Sequence, residues 1–370
     1  MLNIMALVPP YIAALRPYEA GRSIEEVRKQ FGLTRVAKLA SNENPLGTSP
    51  HALEAMRRAL ADGLSRYGDG GLAVRVALAE RFATHPKNVI AASGSESLLS
   101  SIVRTFLGDD DEVLTTEAAF IGFQVMARSR GVAYREVPYR HYRYDLSGLA
   151  DAITPRTKII YLANPNNPTG TIFTRREFDA FYPRVPERVL IILDEAYFEY
   201  AQYAAAEEYP DSLRYRYDNV ITLRTFSKAY GLAGIRIGYG LAHEELITQL
   251  LKIKLPFEPS GVAQAAAIAA LGDAGFLERT LELNARSLRM LSDGLPAIPS
   301  YANFVMVPLP SADAARELTQ QLLEQGVIVR PLAAFGLPHA IRISTGTIEE
   351  TEMCLSAIAM ANRKGVLCQS

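Results

Sequence analysis

The chain has 370 residues, 49% of them hydrophobic, enough for one large core and a second, smaller one. Its 39 basic and 40 acidic residues leave a net charge of −1, so no global field draws it to nucleic acid or to an anionic membrane. Any anion it binds must be held by a local cluster.

The only cysteines, Cys354 and Cys368, are too few for a disulfide framework and point to a reducing cytoplasm. The apolar N-terminal residues are interrupted by Pro9 and Pro10 and followed by Arg16, which suits neither a signal peptide nor a membrane span. His51, His85, His141, His243 and His339 have no metal-ligand spacing, so no metal is expected.

In chain order, Val89–Ser93 reads as a strand, Gly94 as a turn and Ser95–Leu107 as a helix. Val113–Thr116, Ile159–Leu162, Leu190–Leu193, Val220–Leu223 and Ile235–Tyr239 read as further strands. Periodicity alone would also allow buried helix turns; length, β-branched content and flanking turn residues decide for strands. Alternation of these runs with amphipathic stretches predicts a mostly parallel sheet between helices. Beyond about residue 275 the pattern changes. A helix is expected through Leu281–Leu291, strands near Phe304–Val307, Ile328–Val329 and Ile341–Ser344, and a final helix opened by a Thr347/Glu350 capping box. The expected fold class is α/β, with a large domain over 46–275 and a smaller α+β domain from 1–45 and 276–370. No repeat, low-complexity segment or charge run is present.

Candidate chemistry sits just past the strand ends, where open α/β sheets bind ligands. Lys228 follows Thr225-Phe226-Ser227, and Arg236 comes eight residues later. A lysine amine can link to an aldehyde while two hydroxyls and a guanidinium grip a phosphate. Gly94-Ser95-Glu96-Ser97 opens a helix, whose first N–H groups favour an anion. Asn164-Pro165-Asn166-Asn167-Pro168-Thr169-Gly170 and Asp194-Glu195-Ala196-Tyr197 lie upstream, in the order expected of a pyridoxal phosphate enzyme. Asp194 would keep a ring nitrogen protonated, and Tyr197 and Asn167 would donate to the phenolic oxygen. Lys228 would hold the aldehyde and then move the substrate proton.

On these motifs the chain resembles the fold-type-I aminotransferases, and within them most closely the histidinol-phosphate aminotransferases. The resemblance runs from Arg16-Pro17-Tyr18 to Arg342 and includes the signature Leu39-Ala40-Ser41-Asn42-Glu43-Asn44-Pro45-Leu46-Gly47. It implies that Phe120 stacks on the cofactor ring, where relatives commonly carry tyrosine. It implies that Tyr67 reaches the partner subunit's phosphate, although Gly68 replaces the usual proline after it. It therefore implies at least a homodimer. Asn42, Arg342, Arg330 and, from the partner, Tyr18 would hold substrate, with Phe257 lining its ring pocket.

The implied reaction is transamination of histidinol phosphate with 2-oxoglutarate. An aromatic or prephenate aminotransferase fits the same constellation, because Arg342 can take a carboxylate or a phosphate. The surroundings of Arg330-Pro331 and Phe335-Gly336 resemble relatives that favour aromatic substrates. A threonine-phosphate-type decarboxylase is a further alternative. A regulatory pyridoxal-phosphate-binding module is disfavoured, because Lys228 is intact and no basic helix-turn-helix precedes residue 40.

Overall fold

The computed structural model describes residues 7–15, 21–214 and 218–362. The described residues form twelve strands, in chain order β1 Ala37–Lys38, β2 Val89–Ala92, β3 Glu112–Thr116, β4 Ala133–Val137, β5 Thr157–Ala163 and β6 Leu190–Asp194, then β7 Val220–Thr225, β8 Gly238–Leu241, β9 Phe304–Pro308, β10 Val327–Ile328, β11 Arg330–Pro331 and β12 Ala340–Ser344. Seven form one sheet in the order β2-β8-β7-β6-β5-β3-β4. Only β8 runs against its neighbours; the other pairings are parallel.

Apolar runs in β5, β6 and β7 are covered on both faces, as central parallel strands must be. Alternation sorts their residues. Ile159, Tyr161, Leu190, Ile192, Ile221 and Leu223 join one core, with Leu98, Leu99 and Ile102 of the helix Ser95–Phe106. Ile160, Leu162, Ile191, Leu193 and Val220 join the opposite core, with Phe173, Phe178 and Phe181. Carried two residues further, the same alternation sets Asp194 and Thr225 on the first face and Glu195 and Arg224 on the second.

A separate core gathers Leu39, Leu291, Val305, Val307, Leu318, Leu322, Ile341, Ile343 and Ile358. Its antiparallel sheet is ordered β11-β12-β9, with helices Ala274–Gly294, Ala312–Glu324 and Ile348–Asn362. The last helix opens on the expected capping box: Thr347 N donates to Glu350 Oε2 at 2.9 Å, and Glu350 N to Thr347 Oγ1 at 3.2 Å. β1 pairs in parallel with β10 and joins the N-terminal region to this core.

Three expectations need correction. The strand expected from Ile235 begins at Gly238, because Ala233–Ile235 make a 3-10 turn and Arg236 has φ +56°. The strand expected at Ile328–Val329 is broken into β10 and β11. The expected helix Leu281–Leu291 extends over Ala274–Gly294, with Asp273 as its N-cap. β4 went unforeseen, since Ala133-Tyr134-Arg135-Glu136-Val137 is a half-exposed edge segment whose charges mask its pattern.

Just past Lys228, Gly231 has φ +67°, and a Cβ there would lie 1.9 Å from the Gly47 carbonyl oxygen. Gly231→Ala combines overpacking with backbone strain and is expected to cost about 2–4 kcal/mol in urea unfolding. A loss below about 0.5 kcal/mol, the usual range for a surface change, would contradict this close approach.

Candidate active site

The ends of β5, β6 and β7 open into a cavity of about 290 Å³. Its anion end is made by backbone that only glycine allows. Gly94 has φ +93°, and a Cβ on it would sit 2.8 Å from Arg236 Nη2; one on Gly238 would sit 2.5 Å from Ser95 N. The helix Ser95–Phe106 starts here with N–H groups that have no partner within the helix. Arg236 Nη1 donates to Ser227 Oγ at 3.5 Å and Nη2 to Glu96 Oε2 at 3.3 Å, while Ser227 N donates to Thr225 Oγ1 at 3.1 Å. Ser95, Glu96, Thr225, Ser227 and Arg236 all line the cavity.

At the floor, Asp194 Oδ2 accepts a 2.7 Å hydrogen bond from the Tyr161 hydroxyl. Oδ1 is buried and has no hydrogen-bond partner among the described residues. Burial pushes this carboxyl up to about 6, opposed by the Tyr161 bond and the Ala196 N–H. Lys228 Nζ donates to the Ser41 carbonyl at 3.4 Å and lies 5.9 Å from the Tyr197 ring centroid. Burial brings its amine down to about 8, helped by the positive charge of Arg342. Tyr197 accepts a 2.9 Å bond from Asn42 Nδ2. The Phe120 ring also borders the cavity, and a Cβ on Gly122 would come within 2.6 Å of it.

At the far end stand two arginines. Arg342 Nη1 donates to Asn167 Oδ1 at 2.5 Å and Nη2 to the Ala40 carbonyl at 2.9 Å, which leaves Asn167 its amide N–H groups as donors. Arg330 faces Arg342 directly across the β11–β12 pair, and both line the cavity. Like charges directly opposite are unfavourable, so this pairing suits a site that receives an anion.

Two expected residues lie elsewhere in the chain. Tyr67 and Phe257 are 82% and 50% exposed and stack on each other at 4.3 Å. Phe257 does not line this chain's own cavity, and its backbone has φ +63°. Tyr18 lies outside the described residues. Sequence reading missed Tyr161 at the floor, the Ser41 carbonyl that receives Lys228, and the buried Arg224–Glu195 pair at 2.7 Å. Alternation along β5 was the available signal for Tyr161; a backbone carbonyl leaves none.

Residues 34–358 match the family described as aminotransferase class I and II. The chain is 43% identical over 363 residues to the histidinol-phosphate aminotransferase of Anaeromyxobacter sp. (strain Fw109-5), covering 96% of this chain and 98% of that one. It resembles the crystal structure of histidinol-phosphate aminotransferase from Sinorhizobium meliloti in complex with pyridoxal-5'-phosphate, with TM-score 0.85 and 33% identity over 96% and 98% of the two chains. A Thermus thermophilus aspartate aminotransferase double mutant gives TM-score 0.82 and 27% identity over 95% and 99%.

The chain belongs to the class I and II aminotransferases. It has their fold-type-I architecture and is a pyridoxal-phosphate-dependent transaminase. The residues fit that cofactor: a bare buried carboxylate oxygen suits a ring N–H, and the glycine-lined turn with Arg236 suits a phosphate.

The unfolded Asp194 carboxyl titrates near about 3.9, below its folded value, so the unfolded chain releases this proton first. Cofactor-free protein therefore loses stability as pH rises through that window. Asp194→Asn is expected to stabilise the cofactor-free enzyme by up to about 3 kcal/mol at pH ~8 and by little at pH ~4. Urea unfolding at both pH values checks this; an equal effect at both would refute it.

Proposed function

We propose that this transaminase converts histidinol phosphate and 2-oxoglutarate to imidazole acetol phosphate and glutamate in histidine biosynthesis. The observation that carries the reading is the Arg330–Arg342 register pair facing Lys228 across one cavity. Two guanidiniums suit a dianionic phosphate better than a single carboxylate. The relatives named above, called histidinol-phosphate aminotransferases, support it.

Pyridoxal phosphate, when bound, supplies an aldehyde for the amine and a ring that draws off electrons as the substrate proton leaves. The protein's part is positioning and proton handling. Arg236, Ser227, Thr225 and the Ser95–Glu96 turn would hold the cofactor phosphate. Asp194 would accept the ring N–H, Tyr197 and Asn167 would donate to the phenolic oxygen, and Phe120 would stack on the ring. Lys228, its amine brought to about 8, would take the proton from the carbon bearing the substrate amine and return it to the cofactor carbon on the other side of that nitrogen. Arg330, Arg342 and Asn42 would orient the donor.

In this reading the enzyme is a cytoplasmic homodimer, and the exposed Tyr67–Phe257 stack, with Tyr18, serves the partner's site. Residues 46–275 form the cofactor-binding domain, and 1–45 with 276–370 form the smaller one. Among the described residues no helix is long and apolar enough to cross a membrane.

The test is kcat/KM for histidinol phosphate against phenylalanine, tyrosine and the prephenate/glutamate pair. Lys228→Ala is expected to abolish turnover of all donors. Arg330→Ala is expected to cost histidinol phosphate about 100-fold and phenylalanine less than about 10-fold, the scale of a charge-assisted hydrogen bond. Equal losses would remove phosphate from Arg330.

A further inference from the structure

Tyr161 has no assigned part in this reaction, yet it is the residue that touches the Asp194 carboxylate most directly. Strand alternation explains why. Tyr161 on β5 and Asp194 on β6 point to the same face, with Leu162 and Leu193 as register partners next to them. Its ring is fully buried and stacks on Phe123, with centroids 4.1 Å apart and planes 12° from parallel. The Tyr161 carbonyl is itself fixed, accepting from Thr115 Oγ1 at 2.8 Å. A phenol so enclosed stays protonated, because burial and the neighbouring Asp194 charge raise it well above its ordinary value. It has one hydrogen to give, and gives it to Asp194 Oδ2.

We propose that Tyr161 is a positioning residue: by tying Oδ2 of Asp194 it fixes the carboxylate plane and presents Oδ1 as the acceptor for a pyridine ring nitrogen. Two observations converge on it. Oδ2 has its bond, and Oδ1 is buried without one among the described residues, so the two oxygens have different jobs. The other groups acting on this carboxylate do not duplicate the role. The Ala196 N–H is backbone, and Glu96, Lys228, Tyr144 and Tyr197 act on it through charge rather than through a hydrogen bond. A tyrosine that merely filled the floor would not need its hydroxyl. The proposal rests on the pyridoxal phosphate reading of the cavity.

The experiment is a binding titration of the cofactor-free enzyme with two ligands: pyridoxal phosphate, and its analogue with a ring C–H in place of the nitrogen. Wild type, Tyr161→Phe and Asp194→Ala are compared. Phenylalanine keeps the stack on Phe123 and removes only the hydroxyl. Wild type is expected to bind pyridoxal phosphate more tightly than the carbon analogue, and Asp194→Ala to erase that preference. Tyr161→Phe is expected to weaken pyridoxal phosphate about 10- to 100-fold, as loss of a hydrogen bond to a charged group does, and to leave the analogue nearly unchanged. Equal weakening of both ligands would show a packing role and overturn the proposal, as would no weakening of either. If wild type binds both ligands alike, the pairing of Asp194 with a ring nitrogen fails, and the role of Tyr161 fails with it. Because both ligands are read on one preparation, partial misfolding would lower both and could not imitate the selective loss.

Discussion

Burying Asp194 at the end of β6 takes a carboxylate out of water and leaves one of its oxygens without a partner among the described residues. Such a group costs stability unless a cation or donor arrives. The protein tolerates it because the strand beneath is central, hydrogen-bonded on both sides and covered by apolar residues on both faces. The unmet demand is then directed. Tyr161 answers one oxygen, which leaves the other able to accept from the cavity. Around it, Arg330 and Arg342 stand opposite each other on adjacent strands, and Lys228 holds an amine that burial makes easier to deprotonate. A buried carboxyl and a buried amine, both shifted toward their neutral forms in one cavity, mark a functional site.

The residue beside Asp194 shows what the same fold does when a buried charge is structural. Glu195 is 2% exposed, and its carboxylate accepts from Arg224 Nε at 2.8 Å and from Ser212 N at 3.3 Å. Arg224 also reaches Asp211 at 2.9 Å and lies over the Phe198 ring at 3.3 Å. Glu195 and Asp194 differ in environment because consecutive strand residues point to opposite faces, and Arg224 and Thr225 differ for the same reason on β7. One face therefore closes into an ion-paired seam behind the sheet, and the other stays open. The seam ties β6 to β7 one residue from Asp194 on one strand and from Thr225 on the other, which keeps the two strand ends in register at the cavity.

Much of this could be read from the chain. The apolar runs near Ile159, Leu190 and Val220 declared themselves as strands by length and β-branching, and Asn167, Asp194 and Lys228 follow those runs. Residue type then suggested the chemistry, and the resemblance placed Arg330 and Arg342. The failures have physical causes. Arg236 was expected inside a strand because Ile235 and Ile237 flank it, yet its left-handed φ turns the backbone so that the guanidinium meets Ser227 and Glu96. Tyr161 looked like core, and it is core; only the register of β5 against β6 makes its hydroxyl a partner of Asp194. Phe257 is exposed and stacked on Tyr67 on this chain, a placement that sequence composition does not encode.

What closes the cavity is a short segment from before the large core, residues 39–44. Leu39 N donates to the Ile328 carbonyl, and Ser344 N donates to the Leu39 carbonyl, so the segment is held against the second core. Asn42, at φ +54°, receives the Ser344 hydroxyl on Oδ1 at 2.7 Å and gives its own amide to Tyr197 at 2.9 Å. Asparagine tolerates this left-handed backbone better than most residues, and its side chain can accept on one side while donating on the other. Two residues on, Asn44 Nδ2 donates to the Ala229 carbonyl at 3.0 Å, beside Lys228, and to Thr280 Oγ1 at 3.1 Å. The Ser41 carbonyl receives the lysine amine itself. Ser344 also lies two residues from Arg342 on β12, so the strand carrying the far arginine is bonded, through Asn42, to the segment that touches Lys228. The spacing between amine and guanidinium, which decides the length of a substrate that can reach both, is therefore set by the hydrogen bonds of Ser41, Asn42 and Asn44, in a stretch whose sequence looks like an ordinary polar loop.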